Sequence, residues 1–474
     1  MPARDLIFGE SCVTDFLTTE QINARHPDGL ADLATDARAR ARQRVEAAGQ
    51  WTPWQALGRR FAIGCVALEI TQRCNLDCTY CYLSEASEAL RDIPLAEVFR
   101  RIDLIHHHYG DGTDIQVTGG EPTLRARPEL LAIVRYIVTK RMRATLLTNG
   151  IKATRELLAE LAEAGLTDVA FHVDLTQQRP NFNSEVALNE VRKEYLERVR
   201  GLPLSVFFNT TICAENRLEL PSLVQFFKQH CAIVRMCSFQ IGANTGRGIG
   251  RVQQALMPHD IIRDIETGMG AQLNFEAAGA GPRACNRYGF ALVINGNAYD
   301  LFEDAEFVQR MLAETADVYF DRRHWRRAVW AMLRFLFTHP RLLGRALKCA
   351  GKLAWRAKLD LLAARGRIRK LSFFVHHFMA ADALEASRIE ACSFMVMTPD
   401  GPLSMCLHNA KRDDYLLVPA QVRQGATLKF WDPVTGRLHA RLPSKLEVKL
   451  TRKTARGGAK AALTYAPPSI HAEL

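Results

Sequence analysis

Between residues 62 and 242 the chain alternates between short apolar, β-branched runs and longer stretches of helical periodicity. Strands are expected at 62–71, 114–118, 143–148, 168–174, 204–212 and 233–242, and helices at 94–108, 128–140, 154–164, 185–200 and 219–229. Six strands joined by five helices imply parallel strands, because each helix returns the chain across the sheet before the next strand starts. The expected fold class is α/β, a partial (β/α)6 TIM-type barrel followed by an α-helical part and a small C-terminal region. In barrels of parallel strands the chemistry gathers at the carboxyl ends.

At the end of the first expected strand stand Cys74, Cys78 and Cys81, in the run CNLDCTYC. Three thiolates on one short loop can hold three irons of a cubane cluster and leave the fourth iron open. Structural zinc is the competing reading, but it needs a fourth ligand close by, and residues 82 to 105 contain no Cys or His. At the end of the second strand comes Gly119-Gly120-Glu121-Pro122. Glycine there lets the backbone pass close to a neighbour that a Cβ would block.

The cysteine run, with Tyr80 before its third thiol, and the Gly-Gly-Glu-Pro string together resemble the radical S-adenosylmethionine (SAM) superfamily over residues 60 to 250. The resemblance implies a [4Fe–4S] cluster on Cys74, Cys78 and Cys81, with SAM chelated at the open iron. It also implies that Gly119 and Gly120 line the cofactor and that Glu121 meets the SAM amino group. Position at strand ends adds Thr148, Asn149, His172, Asp174 and Asn209 as cofactor-binding candidates; Thr210 stands beside the last of these. A histidine side chain is suited to proton transfer, so His172 serves there or is simply a core histidine. No catalytic side chain is nominated. His106, His107 and His108 face different directions on a helix and read as a solvated helix end.

Further along, Cys285, Cys392 and Cys406 could form a second cluster. The last two flank Thr398-Pro399-Asp400-Gly401, a turn signal between the β-like arms 394–397 and 403–405, and a hairpin would bring its two ends together. This resembles the auxiliary-cluster regions of SPASM or twitch type, with Cys349 or His408 as conceivable fourth ligands. The remaining cysteines, Cys12, Cys65, Cys213, Cys231 and Cys237, read as structural. The string Ser372 to Met379, the stretch to Cys392 and the turn to Cys406 resemble the C-terminal region of tetraether lipid synthase-like radical SAM proteins, which implies a lipid or other apolar substrate. A SPASM-like enzyme acting on a peptide or small molecule is the alternative, and a non-catalytic metal-binding, membrane-docking protein a more distant one.

The charge is local. Residues 321 to 370 hold fifteen Lys and Arg against two Asp, a net of +13 where the whole chain carries +11. Tryptophans and leucines interleave with these charges, a pattern of interfacial helices. A membrane surface, a helical pair packed on the barrel with a basic outer face, and nucleic acid are the three readings; the apolar content argues against nucleic acid.

The expected organisation is a helical extension over 1–60, the barrel over 61–250, a connecting region with Cys285 over 251–320, basic amphipathic helices over 321–370, an auxiliary-cluster-like region over 371–440 and a basic, mobile tail over 441–474. No 18-residue apolar run appears, and Met1-Pro2-Ala3-Arg4-Asp5 opens no apolar signal region. A cytoplasmic protein, peripheral at the inner face of the membrane, is expected, with flavodoxin or ferredoxin as the reductant that the family resemblance implies.

Overall fold

The computed structural model describes residues 16–30, 36–248, 256–321, 324–424, 427–443, 446–449 and 462–465. Cys12 and most of the basic tail lie outside the described residues; within the tail Leu446–Lys449 and Ala462–Tyr465 pair antiparallel. Two short helices, α1 (Thr19–Asn23) and α2 (Ala37–Ala47), precede the barrel. The barrel strands are β1 (Cys65–Thr71), β2 (Asp114–Gly119), β3 (Arg143–Thr148), β4 (Asp168–His172), β5 (Ser205–Ile212) and β6 (Val234–Ile241). They alternate with α3 (Leu95–Tyr109), α4 (Arg127–Thr139), α5 (Arg155–Glu163), α6 (Asn189–Val199), α7 (Leu220–Gln229) and α8 (Pro258–Met269). The expected six-strand barrel is therefore present.

It is also extended. After β7 (Asn286–Ile294), β8 (Asn297–Asp300), α9 (Ala305–Glu314), α10 (Trp325–Thr338), α11 (Pro340–Arg356) and α12 (Lys358–Ala363), strand β9 (Ile368–His377) pairs parallel to β6. After α13 (Ala386–Glu390), β10 (Phe394–Met397) pairs parallel to β1, and β11 (Pro402–Ser404) completes the hairpin expected around Thr398 to Gly401. The sheet order is β11-β10-β1-β2-β3-β4-β5-β6-β9-β7-β8, so eight strands from β10 round to β9 run parallel. No ladder joins β9 to β10 among the described residues. Rings meet there instead: Phe374 and Phe394 stack with centroids 5.6 Å apart at 7°. The chain continues through α14 (Met405–Ala410) and α15 (Arg412–Leu416) to a three-stranded sheet over residues 420–439.

Alternation along the strands decides what the barrel encloses. Val66, Leu68 and Ile70 of β1 and Ile115 and Val117 of β2 join the core beneath the helices. The helices answer with their own spacing, such as Val98, Ile102 and Ile105 on α3 and Leu130, Ile133, Val134 and Ile137 on α4. Residues of the opposite parity, among them Ala67, Thr118, Thr145, Ala170, Ser238 and Ser372, face the lumen. Layers of bulky branched side chains normally plug such a barrel. Small ones leave it hollow, with a cavity of about 810 Å3.

One expectation changes on α3. His106 does pair with Asp111 at the helix end, but His108 is buried, and burial lowers its pKa to about 4. Arg40 of α2 donates to its carbonyl, so α2 covers that face.

Candidate active site

The loop after β1 is held at four strand ends. Arg73 pairs with Asp92 and donates to the Leu124 carbonyl at 3.0 Å. Asn149, after β3, donates from Nδ2 to Oδ1 of Asn75 at 2.7 Å. The Thr79 amide donates to the Thr176 carbonyl beyond β4 at 2.8 Å, and Tyr82 donates its hydroxyl to the Gly119 carbonyl of β2 at 2.6 Å. Beyond β6, the amides of Arg247 and Gly248 donate to the carbonyls of Leu83 and Cys81 at 2.7 and 2.9 Å. The fixed loop turns Cys74, Cys78 and Cys81 onto the wall of the barrel cavity, facing Gly119, Gly120, Thr148, Asn149, His172 and Asn209.

Each glycine has a steric reason. Gly119 lies at φ +130°, and a Cβ on it would come within 2.0 Å of the Thr71 carbonyl oxygen. On Gly120 a Cβ would come within 2.2 Å of the Arg73 oxygen. The two strand exits are zipped there, Gly120 to Thr71 at 2.9 Å and Glu121 to Arg73 at 2.8 Å.

Glu121 is tied to the neighbouring strand end. Its carboxylate is wholly buried and accepts from Oγ1 of Thr148 at 2.7 Å, the Asn149 amide at 2.7 Å, and both the amide and hydroxyl of Thr123. With both oxygens spent on the end of β3, its side chain braces Thr148 and Asn149 from behind the wall. Asp174 is likewise buried, 2.6 Å from Nε2 of His172, and accepts from Thr176 and from the Thr211 amide. Burial alone would raise its pKa; the His172 imidazole and these donors outweigh that and hold it low, at about 2. A carboxylate only accepts, so the proton of the His172 bond rides on Nε2.

Two charged groups had no motif to announce them. Glu69, inward on β1, accepts from Gln72 and from Arg412 of α15, and the Arg412 guanidinium lies 4.7 Å over the Tyr82 ring. Burial opposes its charge, yet Arg412 and His408 pull its pKa to about 2. A single acid in the otherwise apolar run 66–70 was the one available signal. Arg247 pairs with Glu88 at 2.9 Å and bonds the Cys81 thiol; those two partners outweigh burial and raise its pKa.

The family profile described as the radical SAM superfamily matches residues 68–226, which is the segment carrying this loop, the glycine pair and five of the barrel strands. Residues 68–226 are a radical SAM domain. Among curated proteins the chain is 26% identical over 186 residues to 7,8-dihydro-6-hydroxymethylpterin dimethyltransferase of Methanocaldococcus jannaschii, covering 38% of this chain and 36% of that one. It is 33% identical over 184 residues to GTP 3',8-cyclase of Chlorobaculum tepidum, covering 37% and 53%. To PqqA peptide cyclase of Bradyrhizobium diazoefficiens it is 30% identical over 166 residues, covering 34% and 42%. The match thus spans about a third to a half of each relative's length.

As a radical SAM domain, the site fits a [4Fe–4S] cluster and SAM by its donor set: three thiols on one cavity wall, with glycine backbone and the amide side chain of Asn149 beside them. Among the described residues no three His, Cys, Asp or Glu side chains converge on a single-ion position; a cubane spreads its thiolates more widely than a tetrahedral ion does.

Cys285, Cys392 and Cys406 lie outside that cavity lining but near one another. Burial raises all three thiols, and Cys392 raises Cys285 and Cys406 further. Arg388 donates to the Cys285 sulfur at 3.2 Å, and the Met379 amide to that of Cys406 at 3.4 Å. Cys349 does not join them, since its thiol lies on α11 at 3.8 Å from Asp304. His408 is buried beside Glu69 and Arg412.

Proposed function

We propose that the protein is a radical SAM enzyme. A [4Fe–4S] cluster on Cys74, Cys78 and Cys81, reduced by one electron, supplies cleavage of SAM to methionine and a 5'-deoxyadenosyl radical that removes hydrogen from an unactivated C–H bond. The observation that carries the reading is the placing of three thiols and the Gly119–Gly120 backbone on one wall of a hollow barrel. The chain's own part is positional. Gly119 and Gly120 leave room along the wall, Thr148 and Asn149 are held at it by Glu121, and His172 presents an imidazole whose Nε2 proton is fixed by Asp174. Flavodoxin or ferredoxin in a reducing cytoplasm is the electron source.

The substrate we assign is apolar, a lipid chain or its like. Support comes from Phe207, Phe290, Phe302, Leu312 and Phe374, which line the lumen. A peptide or small molecule is the second reading, supported by the relative named PqqA peptide cyclase. An auxiliary iron–sulfur cluster on Cys285, Cys392 and Cys406 is part of the proposal, supported by their mutual proximity.

Anaerobic reconstitution with iron and sulfide, then reduction and SAM, tests it. The protein yields 5'-deoxyadenosine and Cys78→Ala yields none; a reduced, iron-loaded protein that leaves SAM intact sinks the reading and leaves a metal-binding docking protein. Iron retained after Cys74, Cys78 and Cys81 are all replaced by alanine, and lost when Cys392→Ala is added, reports the second cluster.

A further inference from the structure

The helices α9 to α12 bury one apolar face and expose another. Phe335, Leu336 and Leu342 form a small core of their own with Phe307, Met311 and Val318, among others. That core satisfies the need of an amphipathic helix pair to cover its apolar side. A second set remains outside it. Trp330, Phe337, Leu347, Trp355, Leu359 and Leu362 are each between 63% and 75% exposed. Trp330 and Phe337 stand seven residues apart on α10 and Leu347 and Trp355 eight apart on α11, two turns in each case, so each pair shares a face. Scattered single apolar residues on a surface need no explanation, whereas six large ones on one set of helices do.

The same helices carry the chain's positive charge. Arg334, Arg341, Lys348, Lys358 and Arg365 are all exposed. Asp360, the sole acid between 322 and 370, is spent on the β7–β8 hairpin, where Asn295, Asn297 and Tyr299 donate to it. Glu303 and Asp304, outside the window, clamp Lys352, Arg356 and Arg345. The acids thus anchor the helices to the body, and the outer face is left basic and apolar. Lys358 places its ammonium 3.9 Å over the ring of Trp355, an arrangement that holds an aromatic body and a cationic tip at one spot.

We propose that α10 to α12 dock the protein on an anionic lipid bilayer. A bilayer surface is the one partner that takes both halves of this face, headgroup phosphates for the Arg and Lys side chains and the acyl boundary for Trp, Phe and Leu. Phosphates of nucleic acid would engage the charges and leave Leu347, Leu359 and Leu362 in water. No described helix is long and apolar enough to cross a membrane, so the helices lie on the surface. Their seat on the barrel links the docking face to the cavity: Leu312 of α9 lines the cavity, while Phe307 and Met311 of the same helix pack on α10 and α11. The proposal is independent of the radical chemistry.

Flotation of the full chain with phosphatidylcholine vesicles, with and without phosphatidylglycerol, is the test. Binding is expected only with the anionic lipid, weakened by salt, and cut about tenfold or more in Trp330→Glu/Trp355→Glu/Leu359→Glu. These exposed side chains lie outside the cores, so the variant keeps the parent's Tm and iron content. Absence of flotation at low salt, equal binding to neutral vesicles, or an unweakened triple variant each overturns the proposal. Tight binding to a DNA duplex that the triple variant retains, with no flotation, assigns the face to nucleic acid instead.

Discussion

Arg412 donates from Nη1 to both carboxylate oxygens of Glu69, at 2.7 and 2.8 Å, across 343 residues of sequence. The pair is almost entirely buried and ties the last helix of the C-terminal region to the strand that leads into the cysteine loop.

Removing Arg412 strands that carboxylate. Arg412→Ala is expected to cost about 3–5 kcal/mol at neutral pH, and Glu69→Gln/Arg412→Met much less, because the double change leaves no lone charge. The pH dependence should invert. In the parent the folded pKa of Glu69 is depressed from 4.5 to about 2, so its contribution is full above 4.5 and fades as pH falls towards 2. In Arg412→Ala burial prevails, the folded pKa rises, and the variant loses stability as pH rises. Thermal melts across pH 3 to 8 read the sign.

His172 is expected to act through its place on the wall. His172→Gln should retain iron and Tm, since the side chain is partly exposed, while substrate turnover falls by about a hundredfold. Single-turnover assays that follow 5'-deoxyadenosine and product separately check this. Equal turnover in the variant would reduce His172 to a spectator.

Gly120→Ala puts a Cβ against the Arg73 carbonyl, which belongs to the backbone and cannot step aside cheaply. A loss of about 1–3 kcal/mol and of most bound iron is expected. Gly344→Ala, in α11 with nothing within 4 Å of the new Cβ, is the contrast and should stabilise by up to about 1 kcal/mol. Tm and iron analysis on both variants distinguish a steric cause from a general intolerance of alanine.

Arg247 places positive charge at the Cys81 sulfur. Arg247→Ala is expected to make cluster reduction harder, moving the midpoint potential to more negative values by tens of millivolts, with Arg247→Lys in between. Redox titration monitored by electron paramagnetic resonance measures it.

The barrel was legible because its evidence is local. Strand limits at 143–148 and helix limits near 128–140 follow from apolar spacing that any neighbour would have to respect. The helix expected from 185 starts at Asn189 because Glu185 is drawn into a buried pair with Arg192, a tertiary demand that periodicity does not record. Partnership between distant segments was equally hidden. The arm 394–397 reads as half of a hairpin, and nothing in its residues says that its other edge joins β1. At the site, spacing located the thiols and the glycines. It does not record that the Glu121 carboxylate accepts from the Thr148 hydroxyl and the Asn149 amide, partners that lie 27 and 28 residues away. Arg247 and Arg412 come from polar stretches, where one arginine looks like any other.

Seven joints of the parallel barrel are laced by amides, and the eighth, between Phe374 and Phe394, is closed by aromatic faces. An amide ladder has one register and resists widening, because each broken rung exposes a donor and an acceptor. Stacked rings have no register to lose. They can slip and settle again on a new offset at small cost. A change in the girth of the wall would therefore cost least along this line, while the cysteine loop is tied to the laced side.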